Sequence, residues 1–115
     1  MATVEECRTA LSSLVDQLAE LDPATRRKHV IERTVGCRVT DLDVTFTGRI
    51  HAHGADGMAE HPGGGAPATD IRFTIGSDDL VAFADGRLDF GRALLTGRIK
   101  VEASFGDLLR LRKAF

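Results

Sequence analysis

The chain has no tryptophan and no tyrosine; its aromatic content is six phenylalanines. Platforms on which bases stack are therefore scarce, and a formal net charge of −2 gives no general attraction to phosphate backbones or acidic bilayers. Nucleic acid is not an expected partner. The two cysteines, Cys7 and Cys37, form neither a CxxC pair nor a disulfide framework, and read as small buried hydrophobes in a reducing compartment. No apolar run approaches the roughly 18 residues that span a bilayer, so stable membrane insertion is not expected. The opening MATVEECRTA lacks the basic stretch and apolar core of a secretory signal, and a cytoplasmic protein is expected. Catalytic signatures are missing as well. No GxSxG or HExxH occurs, and Gly63-Gly64-Gly65 is followed by Ala-Pro rather than Lys-Ser/Thr, which does not make a phosphate loop. No cofactor is implied.

What is present is a soluble globular composition, with 43% hydrophobic and 28% charged residues in 115. That is the size of one domain, with little spare volume for a large cavity. We read residues 1–34 as N-terminal helices, 35–76 as strands with a Gly/Pro-rich loop, and 77–115 as short helices, a last strand and a C-terminal helix. Thr3 and Glu6 form a capping box, after which Cys7, Leu11, Leu14, Val15, Leu18 and Leu21 recur at helical spacing. Asp22-Pro23 opens a second helix carrying Arg26, Arg27, Lys28 and His29, a basic run that reads as a solvated face.

From Cys37 the period changes to two. Cys37 to Thr40 reads as a short strand, and Val44, Phe46, Gly48 and Ile50 share one side of a longer one. Residues 53–69, with HPGGGAPA at their centre, read as a loop or long hairpin connection with at most a short strand near Met58. Ile71, Phe73 and Ile75 alternate as a strand; Ser77 is placed to cap the next helix, with Asp78 and Asp79 at its positive end. Gly86 ends that helix, Asp89 caps another reaching to Gly97, and Ile99, Val101 and Ala103 face inward from a last strand. Ser104 and Asp107 begin a final helix, whose Arg110, Arg112 and Lys113 offset its negative end. Blocks of strands and helices without βαβ alternation argue for α+β with a mostly antiparallel sheet.

His51, His53 and His61, with Asp56 nearby, are a conceivable metal set. The third ligand would come from a loop, however, so solvated histidines at a strand end are the preferred reading and no metal is assigned.

The succession Asp79-Leu80, Gly86-Arg87-Leu88-Asp89, Gly97-Arg98-Ile99-Lys100-Val101 and Leu108-Leu109-Arg110-Leu111 resembles the C-terminal half of the sterol carrier protein-2 (SCP2) family. The match lies mostly in residues 70–115. It departs from the family at Ala103-Ser104, where Gly-Asp is usual, at Phe90, where proline is common, and in the missing tryptophan. The resemblance implies a five-stranded sheet covered by helices on one face. An apolar tunnel between them would take a sterol, fatty acid or acyl lipid, and no residue would be catalytic. Candidate tunnel residues are Phe46, Phe73, Leu80, Phe83, Phe90, Leu94, Ile99, Val101, Phe105 and Leu109. Phe90 and Phe105 draw most interest because each begins a helix, and the C-terminal helix and the HPGGGAPA segment are candidate gates. Two other readings stand beside this one. The chain could be a non-catalytic homodimeric module with a closed core, or a small cyclase- or isomerase-like enzyme with His29 or His51 turned inward.

Overall fold

Thr3 and Glu6 close the anticipated box at the head of helix α1 (Val4–Ala19). The Glu6 amide donates to Thr3 Oγ1 at 3.1 Å, and the Thr3 amide donates to Glu6 Oε1 at 3.2 Å. The computed structural model describes residues 1–19, 32–51 and 54–114; the second expected helix with His29, and also His53 and Phe115, lie outside them. After α1 come strands β1 (Arg33–Val39), β2 (Val44–His51), β3 (Gly54–Pro62) and β4 (Ile71–Ile75). Helices α2 (Ser77–Ala84) and α3 (Phe90–Leu95), strand β5 (Ile99–Glu102) and helix α4 (Phe105–Ala114) complete the described chain.

The strands form one five-stranded sheet in the order β3-β2-β1-β4-β5. Its pairs are antiparallel except β1 with β4, so the expected mostly antiparallel α+β architecture is what the chain adopts. Alternation sorts the side chains into two unlike faces. Val35, Cys37 and Val39 stand in register with Ile71, Phe73 and Ile75 on one face, and with Val44 and Phe46 across β2. The other face carries Thr34, Arg38, Thr45, Thr47, Arg49, Arg72 and Thr74. α1 lies on the apolar face: its Cys7 and Ala10 are buried in one cluster with Cys37, Val39, Val44 and Phe46, and Arg8 pairs with Glu60 of β3.

Two expectations about the strands need correction. The residues after His53 are not a loop: Gly54–Pro62 is a nine-residue strand against β2. Its alternation is broken by a register shift opposite Thr47/Arg49 and by Gly57 at φ 67°, a bulge that a period-two reading does not tolerate. Likewise β1 starts at Arg33 rather than Cys37. The remaining connection, 63–70, crosses the polar face. Arg38 Nη1 donates to the Gly63 carbonyl at 3.1 Å, and a Cβ on Gly36 would stand 3.0 Å from Thr69 Oγ1, so glycine there lets the strap lie close. Asp70 then accepts from the Thr34 amide at 3.0 Å, fixing the start of β4 beside β1.

The two short helices end alike. In α2 the Arg87 amide donates to Ala82 O and the Gly86 amide to Phe83 O; in α3 Arg98 and Gly97 do the same to Ala93 and Leu94. Both glycines sit at φ 76°, a left-handed turn that glycine makes without steric cost. Asp89 caps α3 as expected, accepting from the Arg92 amide at 2.9 Å.

Ser77 does not cap α2; Gly76 holds that position. Ser77 is instead fully buried, donating to Asp41 Oδ2 at 2.5 Å and accepting from the Ala2 amide at 3.1 Å. Its own amide reaches Asp41 Oδ1 at 2.8 Å. The Ser77 hydroxyl is the main reason the Asp41 carboxyl lies below its ordinary value of 3.8. A depressed carboxylate adds stability above that value and loses it as pH falls through the lower folded one. Ser77→Ala should therefore cost about 1–3 kcal/mol in urea unfolding and flatten the stability loss below pH 3.8.

Candidate functional site

The register turns the helix-side face of the sheet into a set of rows. Val44, Val39, Ile75 and Ile99 form the first, and all four are buried. Phe46, Cys37, Phe73 and Val101 form the second; Phe46 and Cys37 are buried, but Phe73 and Val101 only half so. The third row sets Gly48 beside Val35 and Ile71, with Gly48 and Val35 half-buried. Half-buried Ile50 stands opposite Arg33 in the last. The face is thus apolar along most of its length, closed at one end and open toward the other.

Three phenylalanines mark the boundary. Phe90, in the first turn of α3, meets Phe73 edge-on at 6.5 Å and 70°, and Phe83 of α2 at 5.7 Å and 48°. Such tilted and T-shaped pairs are the favoured aromatic geometries, and the Asp89 cap holds Phe90 at its helix start. Below them, the first turn of α4 is tied to the sheet. Ser104 Oγ accepts from the Asp107 amide at 3.2 Å, and the buried Asp107 carboxylate accepts from Arg33 Nε at 3.2 Å. The Arg33 guanidinium also donates to the Glu32 carbonyl at 2.8 Å.

The ten sequence-predicted residues divide accordingly. Phe46, Leu80, Phe90 and Ile99 are buried in the closed core. Phe73, Phe83 and Val101 are half-buried against it. Leu94 (36% exposed), Phe105 (77%) and Leu109 (45%) stand at the surface. As site residues the sequence reading proposed neither Val35 nor Ile71, the latter read only as a strand position, and neither Arg33 nor Asp107, the latter read only as part of a helix start. The first two were detectable as alternating apolar strand positions. The ion pair joins residues 74 positions apart, which no local pattern reveals.

The polar groups with chemical potential lie elsewhere. His51 meets Asp56 at 3.2 Å and His61 meets Thr47 at 2.9 Å, on the sheet face opposite the apolar rows. Among the described residues no group of three or more His, Cys, Asp or Glu is gathered as a metal would require. An open groove of about 390 Å³ between α1 and α2 is lined by Ala10, Val81 and Ala84 with the carboxylates Glu5, Glu6 and Asp85. Its acids suit it poorly to a fatty acid headgroup. Among the described residues no helix is long and apolar enough to cross a membrane.

A sheet ordered β3-β2-β1-β4-β5, with one parallel pair and helices on one face, defines the SCP2-like class of α+β fold. Solved structures place the chain there. The sterol carrier protein 2-like 2 protein of Aedes aegypti superposes with a TM-score of 0.66 over 96% of this chain and 97% of its own, at 17% identity. A palmitated form of the same mosquito protein, solved in solution, gives 0.63 over 97% and 92% at 18% identity. The stereoselective inverting sec-alkylsulfatase Pisa1 of Pseudomonas sp. gives 0.57 over 83% of this chain at 21% identity, but only 14% of that enzyme is covered. At these identities the likeness establishes the fold. No protein-family model matches the chain, and no curated protein matches it in sequence.

Two measurements check this geometry. Replacing Arg33 by Met leaves the buried Asp107 carboxylate without its guanidinium, so stability should fall by about 1–3 kcal/mol. Amide exchange should quicken first in α4. Burial also pushes the thiols up from 9.0, Cys7 to about 11 and Cys37 to about 12. The unfolded chain then releases these protons first, so stability holds up to about pH 9 and declines as pH rises toward the folded values. A thiol reagent at pH 8 should label neither cysteine until the protein is unfolded.

Proposed function

We propose that the chain is a non-catalytic carrier that binds a hydrophobic small molecule, a sterol, fatty acid or acyl lipid, between the sheet and its helices. The observation that carries this reading is the half-open apolar floor of Val35, Ile50, Phe73 and Val101. Apolar side chains left partly open along one sheet face make the kind of contiguous patch that marks a binding groove. The SCP2-like fold supports it, as does the palmitated state of one structural neighbour. Each buried methylene contributes about 0.8 kcal/mol, so hydrocarbon and shape suffice for binding, with polar groups needed only to orient the head. We assign that orienting role to Arg33. It stands on the apolar face at the open end, where a ligand carboxylate would share its guanidinium with Asp107. Phe90 and Phe83 would form the inner wall and α4 the gate. The strap 63–70 crosses the opposite face, which leaves α4 as the candidate gate.

The enzyme-like reading finds no support among the described residues, since His51 lies on the polar face while His29 is outside them. The dimer reading draws on exposed Phe105 and Leu109, and a mass in solution that stays monomeric as concentration rises would exclude it.

A fluorescent fatty acid titrated into the folded protein should bind saturably. Among unlabelled competitors, two added methylenes should strengthen binding roughly tenfold while the chain is still being buried. Val101→Asp should weaken binding by about tenfold or more, whereas Leu95→Asp, at a position 91% exposed, should not. A folded protein with no saturable binding would overturn the proposal.

A further inference from the structure

The apolar floor has two ends, and the strand register measures the distance between them. At one end Phe90 is fixed twice, by the Asp89 cap and by its contacts with Phe73 at 6.5 Å and Phe83 at 5.7 Å. Behind it the row of Val44, Val39, Ile75 and Ile99 is buried, so hydrocarbon has no way further in. At the other end stands Arg33, the one basic side chain that the described strands place on this face. Its Nε donates to Asp107 and its Nη1 to the Glu32 carbonyl, while Nη2 meets no acceptor among the described residues. Between these ends lie two steps along β1, from Cys37, beside Phe73, to Val35 and from Val35 to Arg33. Each step is two residues of strand, about 6.6 Å, so the open floor is about 13 Å long. An extended hydrocarbon advances about 1.3 Å per carbon by ordinary bond lengths and angles, so about ten carbons fill that length. Midway, Gly48 stands opposite Val35 without a side chain, which leaves room for a chain lying along the strands.

We propose that the site is limited in length. It takes acyl anions of about eight to twelve carbons, with the carboxylate at Arg33 and the methyl end against Phe90, and leaves the rest of a longer chain in water. This rests on the carrier reading above and narrows its ligand to a class. A carboxylate meets the guanidinium through charge-assisted hydrogen bonds, about twice as strong as those of a neutral hydroxyl. An acid therefore outranks both the alcohol of the same length and a sterol. Up to the Phe90 wedge each methylene leaves water and adds about three- to fourfold in affinity. Beyond the wedge an added methylene meets closed core, and the gain per carbon ends.

The test uses the full chain and a series of unlabelled competitors, hexanoate, octanoate, decanoate, dodecanoate and hexadecanoate, against a bound fluorescent fatty acid. Each competitor is kept below the concentration at which it forms micelles. Affinity should climb about three- to fourfold per carbon as far as decanoate and then level, leaving hexadecanoate within about threefold of dodecanoate. Decanol should bind at least about tenfold more weakly than decanoate, and Arg33→Gln should erase that difference without moving the plateau. Phe90→Ala should carry the plateau outward by about three carbons. Phe90→Leu keeps an apolar filler in case the smaller side chain prevents folding, and should move the plateau the same way by less. An affinity that still climbs at full slope from dodecanoate to hexadecanoate overturns the length limit and leaves the carrier reading intact. So does a plateau that neither Phe90 variant moves. Absence of saturable binding by every acid removes the carrier reading itself, and the limit with it.

Discussion

The parallel pairing of β1 with β4 is the constraint on which the other features depend. β3 and β4 both run parallel to β1 and lie on opposite sides of it, so the chain between them must cross a face of the sheet. It crosses the polar one as a short strap held by Arg38 and fitted over Gly36. The apolar face is thereby left entirely to helices. α1 takes the β1–β2 side, with small Cys7 and Ala10 allowing close approach. α2 and α3, each turned by a Gly-Arg ending, follow β4 and lead into β5. A layered architecture with one greasy interior surface follows from that single crossing.

Along this surface the packing is uneven for a local reason. Branched residues from four strands meet in the first row and fill it, whereas two rows further on β2 contributes Gly48 and no side chain. Phe90 ends the dense region because its position is set twice, by the Asp89 cap and by contact with Phe73 and Phe83. Beyond it, among the described residues, comes α4, tied to β1 by the Arg33–Asp107 pair. An element with side chains as exposed as Phe105 and Leu109 opens at a lower free energy than one whose side chains are deeply buried. On the carrier proposal, α4 rather than the buried α1 is the element suited to admit a ligand.

Much of this was legible in the sequence because its signals are local. The T-x-x-E box, the Asp89 cap, the Ser104–Asp107 helix start and the two glycine endings each act within a few residues, and each stands where the spacing predicts. Alternation in β2, β4 and β5 sorted the two faces correctly. β3 escaped because a bulge and glycine at φ 67° erase the period on which strand recognition relies. Ser77 was misread as a cap because its partners, Asp41 and Ala2, come from distant parts of the chain. The candidate site was legible only as a collection of apolar positions. Which of them are closed over depends on how α1, α2 and α4 divide the sheet face among them, and that division is tertiary.

The open end also answers a problem of scale. An enclosed void fit for an acyl chain, about 300 Å³, would cost on the order of 7 kcal/mol at roughly 24 cal/mol per Å³. That rivals the whole stability of a domain, about 5–15 kcal/mol. A chain of 115 residues can hardly enclose such an empty space and stay folded. Leaving Val35, Ile50, Phe73 and Val101 half-buried avoids the vacuum, since water covers what no side chain fills. The cost becomes partial hydration of apolar surface, the same free energy an entering hydrocarbon would recover. On this view the closed first row and the Phe90 wedge supply the stability. The half-buried residues beyond them hold the surface on which the proposed binding would act.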